Sequence, residues 1–420
     1  MPPERLVLRP PERGHKVLIS EKGLRVADDP IIPLIEGDGI GPEVVRVATR
    51  AIDAAVMEAF GGRRHIAWYP VPAGEKAMLQ YGELLPEATL AAIREFVVAL
   101  KGPMTTPVGG GFRSLNVALR KALDLYANMR PVYWIPGMPS PVTHPERLDV
   151  VIFREGTEDV YAGIEWEEGS VQANRMIEIL EKEFRVRVRA DSGIGVKPIS
   201  KTGSKRLVRK AIRYAIEHRR KSVTLVHKGN IMKYTEGAFR AWGYEVARDE
   251  FGEHTIAWDD VVREYDGKPP SDRIVIKDVI ADSMFQQLLL RPKEYDILAT
   301  TNLNGDYLSD AAAAQIGGLG VAAGGNIGDA HAVFEPVHGS APKYAGLGKV
   351  NPTAEMLAGV MMLEYLGWRD AATRLRDAVR KVVASKVVTY DLARQLPGAK
   401  EVGTSAFAQA VIDAIHGAST

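Results

Sequence analysis

The chain has 420 residues, of which 46% are hydrophobic and 25% charged, with a formal net charge of +1. That balance allows a large buried core and two or three domains, and it excludes a protein built to hold a polyanion such as DNA across its surface. With no cysteine in the chain, disulfides, thiolate catalysis and cysteine metal sites are excluded as well.

The first residues, "MPPERLVLRPPERGHKVLISEKG", lack the long apolar core of a secretory signal, and Glu4, Glu12 and Glu21 speak against a mitochondrial presequence. No apolar run approaches the ~20 residues of a bilayer span. A cytoplasmic protein with a short polar tail and no membrane partner is expected.

"IIPLI" (31–35) has the character of a buried strand, closed by "EGDGIGPE". Pro42 at a first helical position, followed by "EVVRVATRAIDAAVMEAF", predicts a helix. A strand near 65–71 and a helix over 86–98 follow. "LDVVIF", "SVTLVHKGN", "DRIVIKDVIAD" and "YDILATTNLNGD" are strands running into polar residues. Strands alternating with helical patterns predict an α/β fold with a largely parallel sheet. Lys228, Asp282 and Asp306 then come at the carboxyl ends of strands, where ligands gather in open α/β sheets. Between 157 and 196 the pattern changes: "EWEEGS", a short amphipathic helix and an alternating strand, "RVRVRADSG", suggest an inserted arm. Helical patterns over 354–366 and 371–385 close the chain.

"GFRSLNVALRKALDLYANMR" (111–130) gathers Arg113, Arg120, Lys121 and Arg130 around one acid, Asp124. The glycines precede a helix start where Ser114 and Asn116 stand, and helix N-termini favour anions. Arg120 lies one turn beyond Asn116, and on an ideal helix Arg130 extends the same stripe about three turns further. Arg154, ending "VVIFR", can join them, and guanidinium forks match carboxylates. The plainer alternative is an exposed basic face with Ser114 as a helix cap. Asp306 and Asp310 are four apart, so one helical turn puts both on one side. With Asp282, and no His or Cys beside them, they suit a hard cation, Mg²⁺ or Mn²⁺. Against this, Asp310 can cap "AAAAQIGG". Lys228 is a candidate base and Tyr161 a candidate phenolic acid. Gly318-x-Gly320-x-x-Ala323, with Glu335 further on, mimics a dinucleotide fingerprint, but a helical pattern precedes it where a strand is required, so it is read as a close-packed turn. His338, Lys343 and Tyr344 in a turn-rich loop, with Tyr390 and Arg394, can surround a phosphate on a sugar.

Taken together, "KGPMTTPVGGGFRSLNVALRKALDLYANMRPV", "EDVYAGIEW", "VHKGNIMKYTEGAF", "NLNGDYLSDAAAAQIGG" and "EPVHGSAPKYAG" resemble the decarboxylating β-hydroxyacid dehydrogenases, most closely their NADP-dependent, isocitrate-oxidising bacterial and archaeal branch. The resemblance runs from about "GDGIGPE" to "TYDLAR". It implies an open α/β sheet distinct from the Rossmann fold. A large domain would comprise 1–125 and 317–420, a small domain 126–158 and 201–316, and a clasp insertion 159–200. It also implies a homodimer with shared active sites. Ser114, Asn116, Arg120, Arg130 and Arg154 would hold substrate carboxylates, with Tyr161 as acid and Lys228, from the other subunit, as base. Asp282, also from the other subunit, would join Asp306 and Asp310 at Mg²⁺ or Mn²⁺. Thr105, Thr106, His338, Lys343, Tyr344, Asn351, Tyr390 and Arg394 would line the NADP site. The matching serine in some bacterial relatives is phosphorylated, which raises the same possibility for Ser114. Rival readings are 3-isopropylmalate or homoisocitrate oxidation on the same fold, and a non-enzymatic tricarboxylate sensor. Nucleic acid has no support as a partner.

Overall fold

The computed structural model describes residues 8–20, 23–105 and 114–417. Its centre is one eleven-stranded sheet. In chain order the strands are β1 (Ile31–Ile35), β2 (Ala67–Pro70), β3 (Val98–Lys101), β4 (Ala127–Tyr133), β5 (Asp149–Glu155), β6 (Ser222–His227), β7 (Thr255–Ala257), β8 (Ile274–Ile280), β9 (Ile297–Thr300), β10 (Ala323–Ile327) and β11 (Ala332–Pro336). Across the sheet they run β7-β8-β6-β9-β5-β4-β10-β11-β3-β1-β2. The helices that carry site residues or flank them are α1 (Leu115–Ala122), α2 (Lys201–Glu217), α3 (Glu236–Phe251), α4 (Ala281–Leu290), α5 (Asn302–Gln315) and α6 (Thr353–Tyr365).

The expected parallel character holds in both wings. β7, β8, β6, β9 and β5 are mutually parallel, as are β11, β3, β1 and β2. The middle is antiparallel: β4 pairs with β5 and β10, and β10 with β11. β6, "SVTLVH", is buried at every residue, as a parallel strand covered on both faces must be. β4 and β5 instead alternate between two faces. Asn128 opposes Arg154 and Arg130 opposes Ile152, while Met129 opposes Phe153. One face of the central strands therefore carries arginines and the other carries apolar side chains.

The glycine cluster near 318 is confirmed as a turn. Gly318 has φ 93, a 3₁₀ turn follows at Leu319–Val321, and the next element is β10 rather than a helix.

Three expectations need correction. The basic stretch is not one helix: α1 ends at Ala122, Asp124 takes a left-handed φ of 49, and Arg130 lies on β4. In "YANMRPVYW" the proline opposes a helix, and the aromatic residues suit a strand once packed between β5 and β10. The alternating "RVRVR" belongs to no sheet. Within 159–200 the regular elements are a 3₁₀ turn, the helix Val171–Lys182 and a two-residue pairing of Glu165–Trp166 with Ile194–Gly195. Nor do the helices near 354 and 371 close the chain. Thr404–Ile415 forms a further helix, burying Phe407, Ala408 and Val411 in the largest core cluster.

A second core cluster lies beneath α2 and α3, where Leu207, Val208, Ile212, Phe239 and Val246 meet Phe153 and Leu225. Among the described residues, no helix is long and apolar enough to cross a membrane.

Candidate active site

The arginine-bearing face of β4 and β5 borders a small polar cavity of about 180 Å³. Ser114, Asn116, Arg120, Arg130, Arg154, Tyr161, Asp306 and His338, all singled out in the sequence, line it together. They arrive from separate elements: α1, two central strands, the 3₁₀ turn Asp159–Ala162, α5 and the loop after β11. Arg113 and Thr106 lie outside the described residues. Lys121 points elsewhere, donating to the Ala162 carbonyl at 2.9 Å.

The cations are buried and held. Arg120 Nε donates to the Gly156 carbonyl at 3.1 Å, and Arg154 Nε donates to Asn302 Oδ1 at 2.8 Å. Arg130 donates through Nε to Asn128 Oδ1 at 2.7 Å and through Nη1 to Ser309 Oγ at 2.6 Å. Burial, with the neighbouring Arg154 charge, pushes the Arg120 and Arg130 guanidiniums down to about 10, so both stay charged at neutral pH. Like charges packed this tightly call for an anion.

Ser114 occupies the N-cap position of α1, but among the described residues its side chain makes no cap bond and the buried Asn116 Oδ1 has no partner. A capping role for Ser114 is thereby set aside. A buried polar atom left open in this way is costly unless something else occupies it.

Asp306 is the hub of the acidic side. It pairs with Arg154 and accepts from the Tyr161 hydroxyl at 2.7 Å. Burial acts to raise its pKa, but Arg154, the Tyr161 hydrogen bond and Arg130 outweigh that, and the carboxyl lies below its ordinary value. The Tyr161 phenol is pushed up to about 12, chiefly by burial, while Arg154 4.8 Å from the ring centre acts to lower it. Asp310, one turn on, receives Arg130 at 3.4 Å and is raised by burial. Both aspartates lie inside α5, so Asp310 is not a helix cap.

Lys228 and Asp282 are not in this cavity. They form an ion pair with each other, Lys228 just after β6 and Asp282 in the first turn of α4. The apolar side chains Ile231, Tyr234, Leu289 and Leu290 near them in the chain are exposed, Tyr234 by 92%. Among the described residues no three His, Cys, Asp or Glu side chains gather as a metal cage within one copy of the chain.

A second constellation lies after β11, in a 3₁₀ turn, the loop that follows it and the short helix Tyr390–Ala393. Tyr344 and Tyr390 stack with ring centres 5.8 Å apart, and the Lys349 ammonium stands 5.4 and 5.0 Å from those rings. Asn351 Nδ2 donates to Asp391 at 3.0 Å, and Arg394 Nε donates to the Asp391 carbonyl at 3.3 Å. Lys343 lies in the 3₁₀ turn beside Tyr344. Thr105 shares a 2.7 Å hydroxyl contact with Ser340, and its backbone donates to Asp38 at 2.8 Å. His338 keeps a buried Nε2 without a partner, and burial lowers its pKa.

Residue-by-residue reading missed Lys101 and the chain behind it. Lys101, 1% exposed at the end of β3, ion-pairs with Glu335 in the wall of the anion cavity. Glu335 accepts from Asn326 at 2.6 Å, Asn128 donates to Asn326 at 2.5 Å, and Arg130 donates to Asn128. The available signal was a lysine ending the otherwise apolar "VAL" strand. Burial acts to raise the Glu335 pKa, yet Lys101 and Asn326 hold it down at about 2.

An open α/β sheet with an anion cavity beside a phenol–carboxylate pair is a site suited to proton transfer on a small anionic substrate. The chain belongs to the isocitrate/isopropylmalate dehydrogenase family, whose model matches residues 31–411. It is 61% identical to the NADP isocitrate dehydrogenase of Archaeoglobus fulgidus over 97% of this chain and 98% of that one. It is 57% identical to the enzyme of the same name from Haloferax volcanii over 96% and 97%. The crystal structure of isocitrate dehydrogenase from Methylococcus capsulatus superposes with a TM-score of 0.74 at 40% identity, covering 92% of this chain and 99% of that one.

Proposed function

We propose that the chain oxidises and decarboxylates isocitrate to 2-oxoglutarate and CO₂ with NADP as hydride acceptor, working as a homodimer whose sites take residues from both copies. The observation that carries this reading is the cavity: Arg120, Arg130 and Arg154 converge there, beside a Ser114 hydroxyl that caps nothing and an Asn116 oxygen without a partner among the described residues. A compact tricarboxylate uses all of these. The alkyl group of 3-isopropylmalate would leave the polar pair unsatisfied.

Asp306 and Asp310 offer only oxygen donors from one face of α5, which fits Mg²⁺ or Mn²⁺, with Asp282 of the partner subunit as a third ligand. The exposed apolar residues near Lys228 and Asp282 support delivery of that pair across a subunit boundary. The stacked tyrosines with Lys343, Lys349 and Arg394 fit an adenosine carrying a 2′-phosphate. When bound, NADP supplies the hydride acceptor and the divalent cation supplies Lewis acidity.

The guanidiniums fix the substrate carboxylates and so the face of C2 presented for oxidation. Lys228 of the partner subunit takes the hydroxyl proton. Tyr161, protonated at neutral pH and oriented by Asp306, gives a proton at C3 after CO₂ departs. The division into a large domain (1–125, 317–420), a small domain (126–158, 201–316) and a clasp (159–200) belongs to the same proposal, supported by the separate core beneath α2 and α3.

The test is absorbance of reduced nicotinamide with isocitrate, NADP and Mg²⁺, compared with 3-isopropylmalate and homoisocitrate. The expected result is the highest kcat/KM on isocitrate, with activity stopped by chelator and restored by Mg²⁺ or Mn²⁺. A higher value on 3-isopropylmalate overturns the substrate assignment, and indifference to chelator overturns the metal.

A further inference from the structure

The opposite face of the central strands borders a second, larger cavity of about 860 Å³ that the proposed reaction does not use. Its floor includes Met129 and Phe153, the residues that alternate with Arg130 and Arg154. Its two sides are α2, packed over β5, β9 and β6, and α6, packed over β10, β11 and β3, with β4 between them.

The side formed by α2 is basic. Arg206, Lys210 and Arg213 recur at i, i+4 and i+7, so they share one helix face over about 10 Å. Arg206 and Lys210 stand 4.2 and 5.0 Å from the centre of the Tyr126 ring. Among the described residues, Arg206 pairs through Nη1 with Asp124 at 2.8 Å and donates through Nη2 to Thr157 Oγ1 at 3.2 Å, leaving its buried Nε without an acceptor; Lys210 donates to the Gly328 carbonyl at 2.9 Å; and Arg213 is exposed and makes no ion pair. The acids in the lining are largely committed. Asp329 accepts from the Tyr126 hydroxyl at 2.6 Å and lies 3.8 Å from Lys210, and Glu364 is held by Arg376. Glu217, exposed at the end of α2, remains. Tyr365 and Tyr214 line the same space, Tyr214 stacked on His218 with ring centres 3.8 Å apart, over a floor that includes the buried Phe153.

We infer that this cavity is a binding site for a nucleoside polyphosphate, its phosphates along Arg206, Lys210 and Arg213 and its base among Phe153, Tyr214 and Tyr365. A row of cations about 10 Å long is too extended for a compact tricarboxylate and matches a phosphate chain. Aromatic walls beside that row call for a ligand with a flat apolar part, and bases stack on such side chains.

The test is calorimetric titration of ATP into the full-length protein saturated with NADP, so that the cofactor cleft is already filled. One ATP per chain is expected, bound about tenfold more weakly by Arg213→Glu and by Lys210→Gln, with KM and kcat on isocitrate unchanged when ATP is absent. Inorganic triphosphate should bind at least about tenfold more weakly than ATP, because it lacks the base. No binding to wild type, equal affinity in both variants, displacement of ATP by NADP, or triphosphate binding as tightly as ATP would each overturn the assignment. Binding is read directly, so the outcome does not depend on which acid the enzyme oxidises.

Discussion

The Tyr161 hydroxyl donates to Asp306 Oδ2 at 2.7 Å, and the same carboxylate pairs with Arg154. One aspartate thus orients the proposed acid and meets a cation proposed to hold substrate. Tyr161→Phe keeps the ring against Arg154 and removes only the proton. It should lower kcat by about 10²–10⁴-fold with KM for isocitrate nearly unchanged, read by steady-state kinetics. Equal loss in kcat and substrate binding would show a packing role instead.

Ser114 has a hydroxyl that caps nothing and faces Arg120, Arg130 and Arg154 across a small cavity. Ser114→Asp sets a fixed charge against the incoming carboxylates and should abolish measurable isocitrate binding by calorimetry. Ser114→Ala removes one hydrogen bond and should retain activity, with KM raised by about tenfold. Comparable activity in the two variants would remove charge repulsion as the cause.

The proposed cofactor preference rests on Lys343, in a 3₁₀ turn, and Tyr390, which opens the short helix Tyr390–Ala393. Replacing both, Lys343→Asp with Tyr390→Pro, should lower kcat/KM for NADP by roughly 100-fold and leave NAD within a few-fold, since only NADP carries the 2′-phosphate. Equal losses for both cofactors would refute the phosphate contact.

Asp53, away from the site, gives a pH-dependent stability prediction. Burial raises its pKa from 3.8 to about 6, against a 3.0 Å hydrogen bond from Trp68. The unfolded chain ionises this group at lower pH than the folded one, so the folded state binds more protons in between. Stability is therefore lost as pH rises from 3.8 through about 6 and stays lost above it. The loss is about 3 kcal/mol at most, from roughly two pKa units at ~1.4 kcal/mol each. Asp53→Asn retains an acceptor for Trp68 and should raise the urea midpoint at pH 8 but not at pH 4. An equal change at both pH values would exclude ionisation as its source.

Local chemistry made much of this molecule readable in advance. Pro42 opened a helix where expected, and "NLNGDYLSD" placed Asp306 and Asp310 one turn apart on a single helix. The alternation of apolar strands with helical patterns predicted the parallel wings of the sheet. These features depend on neighbours within a few residues, where propensity, capping and periodicity act directly. The long matches to a known family carried the rest of the site. They grouped Arg154 and Tyr161, which line one cavity, in a proposed site that neither residue's own surroundings in the chain could suggest.

What only the fold decided was pairing across distance. Arg130 read as a continuation of a helix became a strand residue, because β5 and β10 supplied hydrogen-bond partners that no local rule contains. "RVRVR" had the alternation of a strand and no pairing neighbour among the described residues. Lys101 and Glu335, 234 positions apart, form a buried ion pair behind the anion cavity because β3 and β11 run side by side. A buried charge is tolerable only beside its opposite, and which two charges meet is settled by strand order, not by the residues that flank them.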